Sequence, residues 1–271
     1  MKQPKYIFLC SILFVFSCQH SLSTRAPSAD EAKICPSQTR QKITNYQIPE
    51  NGLIKVAFFD ADSTVRVSLS GSVSANTPTD VRILPNVPKT LKMLSENNYL
   101  IYIVSNQGGV SAGNVTCETA DGALNFTVQE ITRLGGVVHG YDFAENSNEM
   151  RKPETGMAKK LEQILKTQFG EKTKIDMVNS FMVGDSAFKK EGKNNAADLR
   201  LDYKTLNIVK GTHFSNADRL FAQNYGIYFY EPTVFFGWRA LGIDVLETSE
   251  QVDQYGQKFK ALRRAFNVIS N

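Results

Sequence analysis

The chain has 271 residues, 42% of them hydrophobic, enough to bury one ample core and to make a single domain with at most a small accessory part the expectation. Its formal charge of +4 falls by two if Lys2 and Lys5 leave with a leader, a balance that neither demands nor excludes a polyanionic partner. His20, His139 and His213 lie far apart, and no Cys or His cluster has zinc-ligand spacing, which excludes a zinc centre from the reading.

In chain order, Lys2 and Lys5 precede an apolar run from Tyr6 to Phe16 that is too short to span a bilayer and has signal-peptide order. The run ends in Val15-Phe16-Ser17-Cys18, which resembles a bacterial lipobox; an ordinary secretory signal with a chance Cys is the alternative. The first reading makes residues 1–17 a signal peptide and Cys18 the lipidated first residue of a chain with a membrane anchor but no transmembrane helix. It places the protein on the periplasmic side, with the outer membrane favoured because Gln19 is not the Asp that often retains bacterial lipoproteins on the inner one. Residues 18–46 are rich in Ser, Thr, Gln, Pro and charge and read as a flexible tether. Of the remaining cysteines, Cys10 leaves with the leader, and an oxidising compartment would permit a bridge between Cys35 and Cys117. Two unpaired thiols are the simpler reading.

Residues 47–247 read as the folded domain. Leu53 to Phe59, Tyr99 to Val104, Phe181 to Val183 and Ile227 to Tyr230 are short apolar runs of the kind that form buried parallel strands. Helical spacing separates them: Val87, Leu91 and Leu94 share one face, Val128, Ile131 and Leu134 another, and Met157, Leu161, Ile164 and Leu165 a third. This alternation predicts an α/β fold, an open parallel sheet with helices on both faces. Residues 65–85, with Ser68, Ser70, Gly71, Ser72, Ser74, Asn76 and Pro78, resemble a small β-flap, and no large cap domain is evident. Residues 248–271 are predicted to carry an amphipathic helix, opened by a Thr248 and Gln251 capping box and lined by Val252, Tyr255, Phe259, Leu262 and Phe266.

Ligands of such sheets sit at the carboxyl ends of the strands. Directly after the first strand comes Asp60-Ala61-Asp62-Ser63-Thr64; the second strand ends in Val104-Ser105-Asn106-Gln107. A loop holds Arg151-Lys152-Pro153-Glu154-Thr155-Gly156-Met157, and a later strand ends in Val183-Gly184-Asp185-Ser186. Each segment alone is an ordinary polar turn or charged loop. Their order, with three of the four at strand ends, is what chance does not readily supply.

The four segments resemble the four motifs of the haloacid dehalogenase superfamily, in the branch with little or no cap. The stretch His213-Phe214-Ser215-Asn216-Ala217-Asp218-Arg219-Leu220-Phe221-Ala222, continuing to Pro232 and Phe235-Phe236, is similar to the phosphatase domain of polynucleotide kinase 3′-phosphatases. The likeness covers about residues 53–240. It implies a Rossmann-like sheet and a Mg²⁺-dependent phosphomonoesterase in which Asp60 attacks phosphorus and Asp62 acts as general acid and then base. It implies further that Asp60, Asp185 and the main-chain carbonyl of Asp62 hold Mg²⁺, while Lys152, Ser105, Asn106 and Thr64 surround the phosphate.

Two departures qualify the likeness. Ser63 stands where Gly is usual, and Ser186 where some relatives carry a second acid, for which Asp218 is a candidate replacement. The implied substrate is a 3′-phosphorylated DNA or oligonucleotide end. Against it, Gly108-Gly109-Val110-Ser111-Ala112-Gly113 lacks basic residues for a nucleic-acid backbone, although Lys189, Lys190 and Lys193 could supply them. The alternatives are a periplasmic phosphatase of sugar or polyol phosphates and a lipoprotein that keeps the fold as a binding module without turnover. No G-x-x-x-x-G-K-[S/T] loop predicts a kinase, and no G-x-S-x-G elbow predicts a serine hydrolase. Oligomeric state is not legible.

Overall fold

The computed structural model describes residues 35, 42–187, 199–201, 208–210 and 215–238. The predicted leader, the lipidated Cys18, most of the tether, His213, the Lys189 to Lys193 run and the C-terminal helix lie outside them. In chain order the elements are β1 (Leu53–Phe59), β2 (Arg66–Val67), β3 (Arg82–Ile83), α1 (Val87–Glu96), β4 (Tyr99–Asn106), α2 (Cys117–Arg133), β5 (Gly140–Ala144) and α3 (Gly156–Phe169). They continue with β6 (Lys174–Ile175), β7 (Phe181–Val183), β8 (Leu199–Leu201), β9 (Ile208–Lys210), α4 (Ala217–Tyr225), β10 (Tyr228–Tyr230) and α5 (Pro232–Phe235).

The main sheet runs β10-β7-β1-β4-β5, every neighbouring pair parallel, with β6 pairing the start of β1. Because β1 lies between β4 and β7, the chain turns to opposite sides of it in successive halves, which opens a crevice at its carboxyl end. Alternation of side chains along β1 sends Ala57 and Phe59 to one face and Val56 and Phe58 to the other. The first face is packed by Val87, Leu91 and Leu94 of α1 and Ala120, Leu124 and Ile131 of α2. The second is packed by Met157, Leu161 and Leu165 of α3 and Phe221 and Ala222 of α4. A strand covered on both faces must be apolar throughout, which is why LIKVAFF and YLIYIVSN read as continuous runs.

Some elements differ from expectation. Helix α2 starts at Cys117, eleven residues before Val128, because Thr116 accepts a hydrogen bond from the Thr119 backbone and Glu118 sits in the positive first turn. Leu134, expected on the buried face, is its C-cap and is 49% exposed. Strand β5 went unread because Gly140-Tyr141-Asp142-Phe143-Ala144 has a polar residue at its centre; Asp142 is buried against the Lys160 ammonium at 2.8 Å. The flap is present as an antiparallel pair, β2 with β3, whose connection is gathered by Asp80. Its carboxylate accepts from the backbone nitrogens of Ser70 and Asn76, at 2.6 and 2.9 Å, and from the Ser70 hydroxyl. Cys35 and Cys117 form a disulfide, with Cα atoms 5.3 Å apart, which corrects the simpler reading of two free thiols. No helix among the described residues is long and apolar enough to cross a membrane.

Candidate active site

At the carboxyl end of β1 the strand gives way to a tight turn in which Val65 and Arg66 donate their backbone N–H groups to the Ala61 carbonyl at 3.0 and 3.1 Å. The turn places Ser63 in the left-handed region at φ 61°, a conformation that costs an L-residue about 1 kcal/mol and costs Gly nothing. The Ser63 N–H, bound to the Arg66 carbonyl at 2.8 Å, offsets part of that cost. Asp60 and Asp62 thus both line a cavity of about 390 Å³, together with Ser105, Asn106, Lys152 and Asp185.

Lys152 organises this cavity. Its side chain is 1% exposed, and its ammonium donates to Asp60 Oδ1 at 2.6 Å and to the Val104 carbonyl at 2.8 Å while ion-pairing with Asp218 Oδ1 at 2.7 Å. A buried ammonium needs such partners. Burial alone would push its pKa down, but Asp218 and Asp60 together outweigh burial and hold it above the ordinary lysine value. Burial pushes the Asp60 carboxyl up to about 7, opposed by Lys152 and reinforced by the negative charge of Asp218. The backbone on either side of the ammonium is fixed by Asn106, whose side chain accepts from the Lys152 N–H at 2.9 Å and donates to the Lys152 carbonyl at 2.8 Å. Asn106 was expected on phosphate; the structure uses its amide to aim Lys152.

Thr64 is likewise placed differently from expectation. It is fully buried behind the cavity, where its hydroxyl accepts from the Asp185 N–H at 3.1 Å and donates to Asp185 Oδ1 at 3.4 Å, so it supports a carboxylate and does not face a phosphate. Ser105 is buried at the cavity wall, its hydroxyl accepting from Gln107 Nε2 at 2.9 Å. The Asp62 side chain turns away from the other acids toward Arg66 and Gln107.

Asp218, on the first turn of α4, enters the site as the acid that the sequence offered in place of the one missing after Asp185. Its Oδ2 accepts from the Ser186 N–H at 3.0 Å. One oxygen from each of Asp60, Asp185 and Asp218 lies within 4.8 Å of the others, and all three residues are buried. Three hard oxygen donors so close together fit a small divalent cation and suit Mg²⁺ better than a nitrogen- or sulfur-seeking metal. Gly184 makes room for this arrangement: a Cβ there would fall 2.2 Å from Asp218 Oδ2.

The cavity mouth is formed by the flap, through Val73 and Ser74, and by the loop Gly108 to Asn114. The half-buried Arg151 guanidinium lies against Gly108, where a Cβ would come within 2.9 Å of Nη1. Arg151 and Lys152 are the only cations among the described lining residues. The sequence reading missed Arg66, Gln107 and Arg151 as members of the site; the last stands beside Lys152 in the third segment, and that adjacency was the available signal.

The chain is similar to several known proteins. A family model described as polynucleotide kinase 3 phosphatase matches residues 55–236. An uncharacterized 20.8 kDa protein of Autographa californica nuclear polyhedrosis virus is 32% identical over 182 residues, 67% of this chain and 85% of that one. A protein of Acanthamoeba polyphaga mimivirus named "Putative bifunctional polynucleotide phosphatase/kinase" is 27% identical over 237 residues, 80% of this chain but 53% of the viral protein, so the chain spans about half of that relative. A Thermoplasma volcanium protein named "Probable D-glycero-D-manno-heptose-1,7-bisphosphate 7-phosphatase" is 27% identical over 136 residues, 49% of this chain and 86% of that one.

Proposed function

The chain belongs to the polynucleotide kinase 3 phosphatase family and is a phosphatase of the haloacid dehalogenase type, and from that premise we propose a Mg²⁺-dependent monoesterase that forms an aspartyl-phosphate on Asp60 and acts on 3′-phosphorylated DNA or oligonucleotide ends. The observation that carries the proposal is the buried Lys152 ammonium held between Asp60 and Asp218 at the end of the central strand, with Asp185 beside them. Such a cluster suits an incoming phosphoryl dianion, which needs cations at its oxygens and a carboxylate at phosphorus.

Asp60 attacks phosphorus, the ester P–O bond breaks, and its electron pair goes to the leaving oxygen, which takes a proton from the Asp62 carboxyl. Water then attacks the aspartyl-phosphate, passes its proton to Asp62, and returns the bonding pair to Asp60. Lys152 and Ser105 line the cavity, where the ammonium and the hydroxyl would meet phosphate oxygens as charge moves across them. Asp60, Asp185 and Asp218, with the main-chain carbonyl of Asp62, would hold Mg²⁺, which when bound neutralises charge between the attacking carboxylate and the phosphate. Asp60→Asn should abolish turnover of an aryl phosphate with the fold intact; substantial Mg²⁺-dependent activity in that variant would remove Asp60 as nucleophile.

A second substrate reading has its own support. Among the described lining residues only Arg151 and Lys152 are cations for a nucleic-acid backbone, and one relative is named for a sugar bisphosphate. A 3′-phosphorylated oligonucleotide, its 5′ isomer and a set of sugar phosphates, compared at several salt concentrations, separate the two. Preference for the 3′ oligonucleotide that falls with salt supports the proposal, whereas turnover of the small esters alone refutes it. Absence of turnover on every ester would make the fold a binding module. We propose also that the protein is exported and lipidated at Cys18, a reading that the disulfide between Cys35 and Cys117 supports because such bonds persist in oxidising compartments. Failure of labelled fatty acid to enter the protein, in cells where a Cys18→Ser variant behaves identically, would refute lipidation.

A further inference from the structure

Arg66 is unusual among the residues around the site because a guanidinium is almost never fully buried without a partner that requires it there. Its side chain is 1% exposed, against 17% for Asp62. The Arg66 fork donates from Nε to Asp62 Oδ1 at 2.9 Å and from Nη2 to Asp62 Oδ2 at 3.4 Å, while Nη1 donates to the Thr127 hydroxyl at 2.9 Å. Thr127 is itself fixed, since its hydroxyl donates to the Ala123 carbonyl one turn earlier in α2 at 2.6 Å. On the other side Gln107 Nε2 reaches Asp62 Oδ2 at 2.8 Å. Both carboxyl oxygens of Asp62 are therefore gripped by Arg66, which is tied to α2 through Thr127, and Oδ2 is held also by Gln107 from the loop after β4, while Asp62 still lines the cavity.

We propose that Arg66 is a positioning residue for Asp62: it ties the acid-base carboxyl to α2 and holds it in one rotamer at the cavity edge, work that a large cap pressing on the site could otherwise do. The inference rests on the reading of Asp62 as the proton donor to the leaving oxygen. Arg66 itself gains and loses no proton and touches no substrate. Its contribution is orientation, and a misaimed acid slows proton transfer without removing the nucleophile.

The dependence on leaving group isolates this role. An alkyl phosphate needs a proton delivered as its P–O bond breaks, whereas p-nitrophenyl phosphate expels a stable anion unaided. Single-turnover release of the alcohol or phenol from each ester, with Mg²⁺ present, is to be compared in native protein and in Asp62→Asn, Arg66→Met, Arg66→Lys and Thr127→Val. Asp62→Asn and Arg66→Met should slow alkyl release about 100-fold while p-nitrophenol release stays within about threefold of native. Thr127→Val should slow alkyl release alone, by about fivefold. If Asp62→Asn discriminates between the esters and the Arg66 variants slow both alike, or neither, the proposal is overturned. If Asp62→Asn itself does not discriminate, the assignment of Asp62 falls instead. Should Arg66→Met fail to fold, Arg66→Lys and Thr127→Val decide: a native alkyl-to-aryl ratio in both overturns the proposal.

Discussion

Replacing Gly184 by Ala tests how tightly the two halves of the site are joined. The added Cβ would stand 2.2 Å from Oδ2, 2.4 Å from Cγ and 2.6 Å from Cβ of Asp218, all far inside van der Waals contact. Rotating Asp218 does not relieve the clash, since its own Cβ is among the obstructed atoms, so the first turn of α4 must retreat from β7. Overpacking of this kind costs about 1–3 kcal/mol. Retreat also lengthens the Lys152 contact with Asp218 at 2.7 Å and the Ser186 bond at 3.0 Å, and loosening a buried ion pair adds about 2 kcal/mol or more. The sum, about 3–5 kcal/mol, is a large part of the stability of a typical domain. Denaturant titration of Gly184→Ala and of the Gly184→Ala, Asp218→Gly double variant measures it. The double variant, with the obstructed atoms gone, should be less destabilised than the sum of the single changes but should remain inactive. A single variant with native midpoint and native turnover would refute the packing argument and, with it, the close approach of α4 to the site.

Three further outcomes are expected. Burial lowers the pKa of His139 from 6.5 to about 4 while Nδ1 accepts from the Ile101 N–H at 2.8 Å, so the folded state binds this proton more weakly than the unfolded chain. Its stabilising contribution is thus full above pH 6.5 and is lost as pH falls toward 4, about 2 kcal/mol by pH 5; His139→Asn should flatten that slope in denaturant titrations, and parallel curves would count against it. Cys35→Ser should lower stability by up to about 4 kcal/mol, because the disulfide closes a loop with a sequence separation of 82, and reductant should reproduce the loss in native protein but not in the variant. Asp218→Asn should weaken Mg²⁺ binding at least about tenfold in calorimetric titration; unchanged affinity would remove Asp218 from the cation site.

The central strands and three of the four segments at their ends were legible because each follows a local rule: an apolar run buried on both faces, then polar residues where the strand stops. Asp60, Lys152 and Asp185 meet in space as that order suggested. The details that the sequence did not show are those set by tertiary partners. Thr64 and Asn106 are polar residues in the expected places, yet what their side chains bind depends on Asp185 and Lys152, which lie 121 and 46 residues away. Arg66 was not singled out, because nothing in its neighbourhood of sequence announces Thr127. The start of α2 was hidden by a polar first half, CETADGALN, whose helical character comes from its capping residue more than from an apolar stripe. Strand β5 was hidden by Asp142, a buried charge tolerated only because Lys160 of α3 comes down on it.

The central position of β1 has a consequence for how this protein could change over time. The groups of the candidate site come from five separated pieces of chain, at strand ends, in the loop before α3 and on the first turn of α4, while Val73, Ser74 and the stretch from Gly108 to Asn114 form the mouth. Selection can therefore lengthen, shorten or recharge that rim and leave the bond-breaking apparatus undisturbed. A lineage built this way would keep one reaction and exchange its clientele.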